Sequence, residues 1–136
     1  MNQPQTLEII TVDTLHEQTR ALKEQGFRLV QISATQLPDQ VELTYSFDRD
    51  SRLTNLRLNL PNGARLPSIS GVFGCAVLYE NEVHDLFGVP VDGLAIDFKG
   101  NFYKTAVKFP FGSTKAPCAA PAAGAPAPCA VEEVKK

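Results

Sequence analysis

The chain contains 136 residues, of which 43% are hydrophobic and 21% charged, and its formal net charge is −2. This length predicts one domain, and the balance of 13 Lys and Arg against 15 Asp and Glu lacks the basic excess typical of nucleic-acid binders. The longest apolar run, residues 72–79, is far shorter than the roughly 20 residues of a membrane-spanning helix. No secretory signal pattern is visible, and three cysteines without paired spacing predict a reducing, cytoplasmic location.

The first elements in chain order are a short strand and a helix. Residues 7–12 form a β-like run, and Thr14 followed by Glu17 three residues later matches a capping box at a helix start. Gly26 supplies the matching stop signal. We therefore predict a strand and then a helix that begins near Thr14 and ends before Gly26.

Three strands with short connections follow, over residues 27–34, 41–48 and 55–60, with turn sequences at 48–51 and 61–63. Apolar and polar residues alternate along the second and third strands, which is the period of a half-buried strand. We therefore predict an α+β fold, in which an antiparallel β-meander with one solvated face packs against two helices. The side chains expected on its inner face are Val41, Leu43, Tyr45, Phe47, Leu56, Leu58 and Leu60.

The composition changes sharply at residue 113. Residues 113–136 include 8 Ala and 4 Pro but no Leu, Ile, Phe or Tyr, so helices are interrupted and no large side chain is available for a core. We predict an α+β domain over residues 1–112 and a flexible, disordered Ala/Pro-rich tail over residues 113–136. Cys118 and Cys129 lie in this tail with ten residues between them, unlike the close pairs of zinc sites.

Residues 71–87 are predicted to form the second helix, which Gly88 and then Pro90 end. At 100° per residue an apolar stripe runs along this helix, and Glu80 falls in its middle. An ionised carboxylate in an apolar interface is costly unless it is paired or hydrogen-bonded. The stripe consists of Val72, Ala76, Tyr79, Val83 and Phe87, with Phe73 and Val77 at its side.

Glu80 has three possible interpretations. It can form a buried structural pair, for which His84 one turn on and the strand residues Arg28 and Arg57 are candidate partners. It can act with His84 as a general acid or base with a raised pKa. It can also face another subunit. The structural interpretation is favoured, because no nucleophile, metal ligands or second positioned acid accompany Glu80.

The remaining polar residues of interest do not form a catalytic pattern. Glu82 and Asp85 are predicted to form a solvated or partner-facing acidic edge, and His16 is predicted to lie on the surface. Cys75, among apolar neighbours, is predicted to be a small buried hydrophobe. The sequence therefore predicts no catalytic, cofactor-binding or metal-binding residues.

The segment Tyr-Glu-Asn-Glu-Val-His-Asp-Leu-Phe-Gly-Val at 79–89 resembles the signature of the 30 kDa subunit of NADH:quinone oxidoreductase (respiratory complex I). In that signature Glu-Arg-Glu precedes Asp-Leu-Phe-Gly-Ile, and residues 66–69 resemble its lead-in. The resemblance implies a family motif and partner interface made of Tyr79, Glu80, Glu82, His84, Asp85, Leu86, Phe87 and Gly88.

Two departures from this signature resemble the hydrogenase branch of the family. Asn81 replaces the central Arg, and residues 93–104 replace a basic run. The resemblance implies a non-catalytic scaffold subunit of an Ech-type, membrane-bound, energy-converting nickel–iron (NiFe) hydrogenase. Such a subunit binds no flavin, cluster or nickel and packs against the large NiFe catalytic subunit and the small iron–sulfur subunit.

The same resemblance implies where and how the complex works. It oxidises reduced ferredoxin, evolves or consumes H2, and couples this to ion translocation by membrane subunits at the inner face of the cell membrane. Three alternatives remain: the equivalent subunit of a NADH or ferredoxin:quinone oxidoreductase, a small stand-alone enzyme using Glu80 and His84, and a metal-handling chain using Cys118 and Cys129. The departures after Gly88 weigh against the first alternative.

Overall fold

A computed structural model describes residues 5–112, so the predicted tail at 113–136, with Cys118 and Cys129, lies outside the described residues. The α+β class predicted from the sequence is confirmed. No helix in the described range is both long and apolar enough to cross a membrane. The elements are β1 (Gln5–Ile10), α1 (Val12–Glu24), β2 (Arg28–Gln36), β3 (Gln40–Arg49), β4 (Arg52–Pro61), β5 (Leu66–Pro67), α2 (Ala76–Phe87) and β6 (Val91–Asp92).

Four strands form the main sheet in the order β1-β4-β3-β2. Strands β2, β3 and β4 are the predicted antiparallel meander, and β1 adds a parallel strand beside β4. Helix α1 therefore connects strands at opposite edges of the sheet. Asp50 and Ser51 join β3 to β4 with positive φ angles of 51° and 63°, the left-handed pair that a two-residue hairpin turn requires. The short strands β5 and β6 pair in parallel apart from this sheet.

One apolar core lies on one face of the main sheet. The alternating side chains of β3 and β4 that were predicted to face inward are all buried, none more than 3% exposed. Both helices contribute to the same cluster, α1 through Leu15 and Leu22 and α2 through Ala76 and Val83. The two helices therefore share the face that the meander leaves apolar.

Helix α1 begins earlier than predicted, because the capping box uses a different pair of residues. Thr11 is the N-cap, and the N3 residue is Thr14. The Thr11 backbone N–H donates to the Thr14 hydroxyl oxygen at 3.1 Å, so the Thr14 side chain satisfies this donor at the helix start. The prediction that Thr14 and Glu17 form the capping box was wrong, because the capping box lies one turn earlier in the chain.

Helix α2 begins at Ala76 rather than near residue 71. The Ile69 carbonyl accepts hydrogen bonds from the N–H groups of Val72 and Phe73, both at 2.9 Å, and the chain makes tight turns before the helix. Cys75 lies at the end of these turns and is exposed, so its predicted burial was wrong. These turns place the segment before α2 alongside the buried part of the helix.

Candidate functional site

Glu80 is fully buried in the middle of α2, as the apolar stripe predicted. Its carboxylate accepts two hydrogen bonds from the segment that precedes the helix. The Ser68 hydroxyl donates to Oε2, and the Ile69 backbone N–H donates to Oε1 at 2.7 Å. A carboxylate with this burial and these donors fixes the loop at 68–70 to the helix.

None of the three basic partners predicted for Glu80 contacts it, and these predictions were wrong. Arg28 and Arg57 instead form ion pairs with carboxylates on a neighbouring strand, at 3.0 Å and 3.4 Å. His84 Nδ1 lies 2.9 Å from the Val89 carbonyl oxygen, at the end of its own helix. The carboxylate is satisfied by a hydroxyl and a main-chain amide, which residue spacing alone does not reveal.

Burial raises the pKa of the Glu80 carboxyl above its ordinary value, and the hydrogen bonds from Ser68 and Ile69 oppose that shift. Tyr45, from β3, lies in the same interior. Burial and the charge of Glu80 both raise the pKa of the Tyr45 hydroxyl. Glu80 is thus a poor candidate for catalysis, since a general acid or base must reach the proton that it transfers.

Asn81 holds a second segment of the chain. Its Nδ2 donates to the Val77 carbonyl at 2.7 Å and to the Ile96 carbonyl at 2.9 Å, and its Oδ1 accepts from the Phe98 N–H at 3.1 Å. The side chain is fully buried. Asn81 is the residue that replaces the signature's Arg. Its role was not predicted from the sequence, because a polar residue on a helix usually faces solvent.

Asp85 holds a third segment. It is buried, and its Oδ2 accepts from the Tyr103 N–H at 2.9 Å. Its Oδ1 is buried without a hydrogen-bond partner among residues 5–112. The prediction of a solvated acidic edge was therefore wrong for Asp85, whereas Glu82 is partly exposed.

The end of α2 holds the last described segment. Gly88 has φ 73°, which favours glycine, and a Cβ there would come within 3.0 Å of the Phe109 ring. The Phe111 N–H donates to the Leu86 carbonyl at 2.8 Å, and the rings of Phe87 and Phe111 lie 5.8 Å apart. The glycine thus ends the helix and leaves room for the returning chain.

The other motif residues lie on the side of α2 nearest to β2. The Tyr79 hydroxyl donates to the Val30 carbonyl at 2.9 Å and so ties the helix to that strand. Glu82, Leu86 and Phe87 help to line a groove of about 320 Å³ beside β2. Tyr79 thus fixes the helix on the sheet, and the other three residues shape the groove between α2 and β2.

The geometry fits a structural role, in which the motif residues hold loops of the chain to α2, better than a catalytic role. Glu80 and His84, which a stand-alone enzyme would combine, have separate partners. Among residues 5–112, no three His, Cys, Asp or Glu side chains converge as metal ligands, and His16 is exposed. What the motif does is bind three loop segments to one buried helix through Glu80, Asn81 and Asp85.

Comparison with known proteins finds a matching family and a solved structure with the same fold. The family model described as the 30 kDa subunit of respiratory-chain NADH dehydrogenase matches residues 9–99, which include all three buried polar side chains. A chain of the membrane-bound sulfane sulfur reductase, an archaeal respiratory membrane complex, superposes with a TM-score of 0.72. At 22% identity, over 82% of this chain and 71% of that one, the likeness shows a shared fold. No curated protein matches.

Proposed function

The chain belongs to the family of the 30 kDa subunit of respiratory-chain NADH dehydrogenase, and from this premise we propose that it is a non-catalytic structural subunit of a membrane-bound respiratory complex. One observation carries the proposal. The motif residues Glu80, Asn81 and Asp85 are buried and hydrogen-bonded to loops of the same chain. Catalytic groups line a concave pocket open to substrate, whereas these three stabilise a surface that the loops present.

The complex that we propose is an energy-converting NiFe hydrogenase of the Ech type. Support comes from the two departures from the respiratory signature, Asn81 and the segment at 93–104. They are in contact, because Asn81 hydrogen-bonds to the backbone of Ile96 and Phe98. A long Arg side chain at this buried position would displace that segment, so the two departures form one structural unit.

In this complex the subunit would bind no flavin, cluster or nickel. Its partners would be the large NiFe catalytic subunit and the small iron–sulfur subunit, which it helps to hold together. These partners would keep it at the inner face of the cell membrane, next to the subunits that translocate ions. The division into a domain over residues 1–112 and a flexible tail over residues 113–136 belongs to the same proposal.

The matching family is described as a subunit of respiratory-chain NADH dehydrogenase, which favours a second candidate. This candidate is the equivalent subunit of a NADH or ferredoxin:quinone oxidoreductase. Purification of the affinity-tagged chain from gently solubilised membranes distinguishes the two. The hydrogenase proposal predicts nickel in the purified complex and H2 evolution from reduced ferredoxin. Quinone reduction without nickel would establish the second candidate instead.

The stand-alone enzyme hypothesis has a separate test. It predicts activity in the isolated chain that Glu80→Gln abolishes while the chain remains folded. We expect the isolated chain to have no such activity, and Glu80→Gln to lower stability or assembly, because its carboxylate is used to hold Ser68 and Ile69. An activity that disappears with this substitution would contradict the structural role.

A further inference from the structure

Exposed apolar side chains are concentrated in one segment that the family motif holds in place. We call residues 94–112 the aromatic ribbon. Among residues 5–112, ten large apolar side chains are exposed, and six of them belong to this ribbon. They are 40–62% exposed and comprise Ile96, Phe98, Tyr103, Val107, Phe109 and Phe111.

The ribbon also has the opposite charge to the chain that precedes it. It carries Lys99, Lys104 and Lys108 against Asp97 alone, a net charge of +2. Residues 1–93 carry 7 basic and 12 acidic side chains, a net charge of −5. All three lysines are exposed, and none forms an ion pair within the described residues. The positive charge of the ribbon is therefore available to a partner.

The ribbon has little regular secondary structure, but its backbone is anchored at several points. Asn81 bonds to the backbone at 96 and 98, Asp85 bonds to the N–H of Tyr103, and the Leu86 carbonyl accepts from Phe111. These bonds engage main-chain groups and leave the side chains exposed. A surface held in this way loses less conformational entropy when it binds.

The exposed aromatic side chains and the lysines of the ribbon together indicate what kind of partner it binds. Exposed aromatic residues are enriched at the centres of protein interfaces, where they fill pockets on the other chain. Segments that lie on membranes are usually amphipathic helices with one apolar face, whereas here lysines alternate with aromatic residues along a non-helical backbone. The observations therefore favour a protein partner over a lipid surface.

We propose that the aromatic ribbon is the surface through which this subunit docks on an acidic face of another protein chain in its complex. The apolar side chains would enter pockets on that face, and the three lysines would pair with carboxylates around them. This inference rests on the proposed function, since it requires a complex in which the chain is a subunit. It identifies the docking segment and the charge of the partner.

A photo-crosslinking residue at Val107, which is 62% exposed, locates the partner. The control carries the same residue at Asp50, in the exposed turn between β3 and β4. We expect the Val107 probe to crosslink one other chain of the purified complex, at a peptide rich in Asp and Glu, and the Asp50 probe to give no such product. Products with lipid only, or with a second copy of this chain only, would overturn the inference.

Charge reversal tests the electrostatic part. We expect Lys104→Glu with Lys108→Glu to lower the fraction of chain recovered in the complex by about tenfold, an effect that grows weaker as salt rises. The matched control is Arg20→Glu with Arg52→Glu, two exposed residues without ion pairs in the described range. Thermal melting of both variants verifies that they fold.

The possible outcomes separate the two proposals. If the wild-type chain is recovered in a complex and the lysine variant is recovered equally well, the docking inference is overturned and the proposed function stands. If the wild-type chain is recovered alone, both fall. If the lysine variant does not fold, the crosslink from Val107 decides the docking inference by itself.

Discussion

The β3–β4 hairpin and helix α2 both lie in the core, yet different interactions hold them. In the hairpin, alternating apolar side chains supply the stability, and all seven predicted to face inward are buried. In α2, three buried polar side chains fasten separate loops by hydrogen bonds. Apolar cores accept replacements of similar volume, whereas a buried polar group is costly once its partner is removed. The hairpin should therefore tolerate conservative change better than the helix.

The largest expected effect is in the hairpin. Leu58→Ala in β4 should lower the free energy of unfolding by about 2–5 kcal/mol, because it removes buried methyl groups and leaves a cavity. Leu58→Met, which keeps the volume, should cost less than about 1.5 kcal/mol. Urea denaturation measures both. Equal losses for the two variants would contradict a core held by apolar packing.

The next largest effect is at Glu80. Glu80→Ala leaves the Ile69 N–H buried without its acceptor and removes one of the acceptors within reach of the Ser68 hydroxyl, at a cost of about 1–3 kcal/mol. Hydrogen exchange should accelerate most at residues 68–70. Glu80→Gln, which retains an acceptor oxygen, should cost less. Unchanged exchange in that loop would show that Glu80 does not hold it.

Asn81→Ala should have a smaller and more local effect. The N–H of Phe98 loses its acceptor and the backbone near Ile96 loses a donor, but both groups are near the surface and water can replace the bonds. We expect faster exchange at residues 96–98 and a loss of about 1 kcal/mol in unfolding free energy. Uniform destabilisation without local opening would contradict the loop-holding role.

The sheet was predictable from the sequence, because an alternation of period two specifies both the strand and its buried face. Glu80 was recognisable too, as the one carboxylate on an apolar stripe. Its partners were not recognisable, since a hydroxyl and a main-chain amide carry no pairing signal across eleven or twelve positions. The start of α2 was predicted too early. Residues 69–75 form turns whose hydrogen bonds go to the Ile69 carbonyl, and a main-chain acceptor leaves no signal in the sequence.

The burial of Asn81 and Asp85 was not predicted, because polar residues outside the apolar stripe of a helix usually face water. A signal was present, however. The chain after Gly88 has apolar residues but no strand or helix period, so its backbone groups needed partners elsewhere. Polar side chains on the adjacent helix were available to supply them. Sequence patterns are thus least informative for the buried polar side chains of α2 and the loops that they hold.

The smallest effect is the pH dependence of stability at Glu80. Since its pKa is raised on folding, the folded protein binds this proton more tightly than the unfolded chain. The resulting stabilisation is full below the unfolded pKa and is lost as pH rises through the folded pKa. Relative to Glu80→Gln, the wild type should therefore gain stability as the pH falls toward about 4, the ordinary pKa of a glutamate. A pH-independent difference would mean that Glu80 does not change its protonation in this range.

The central claim is that this chain is a structural subunit of a membrane-bound respiratory complex. Native mass spectrometry of the complex, purified through this chain from gently solubilised membranes, tests it most directly. We predict one assembly in which the chain is bound in fixed stoichiometry to a large cofactor-bearing subunit and a small iron–sulfur subunit. Recovery of the chain alone, or only as copies of itself, would contradict the account.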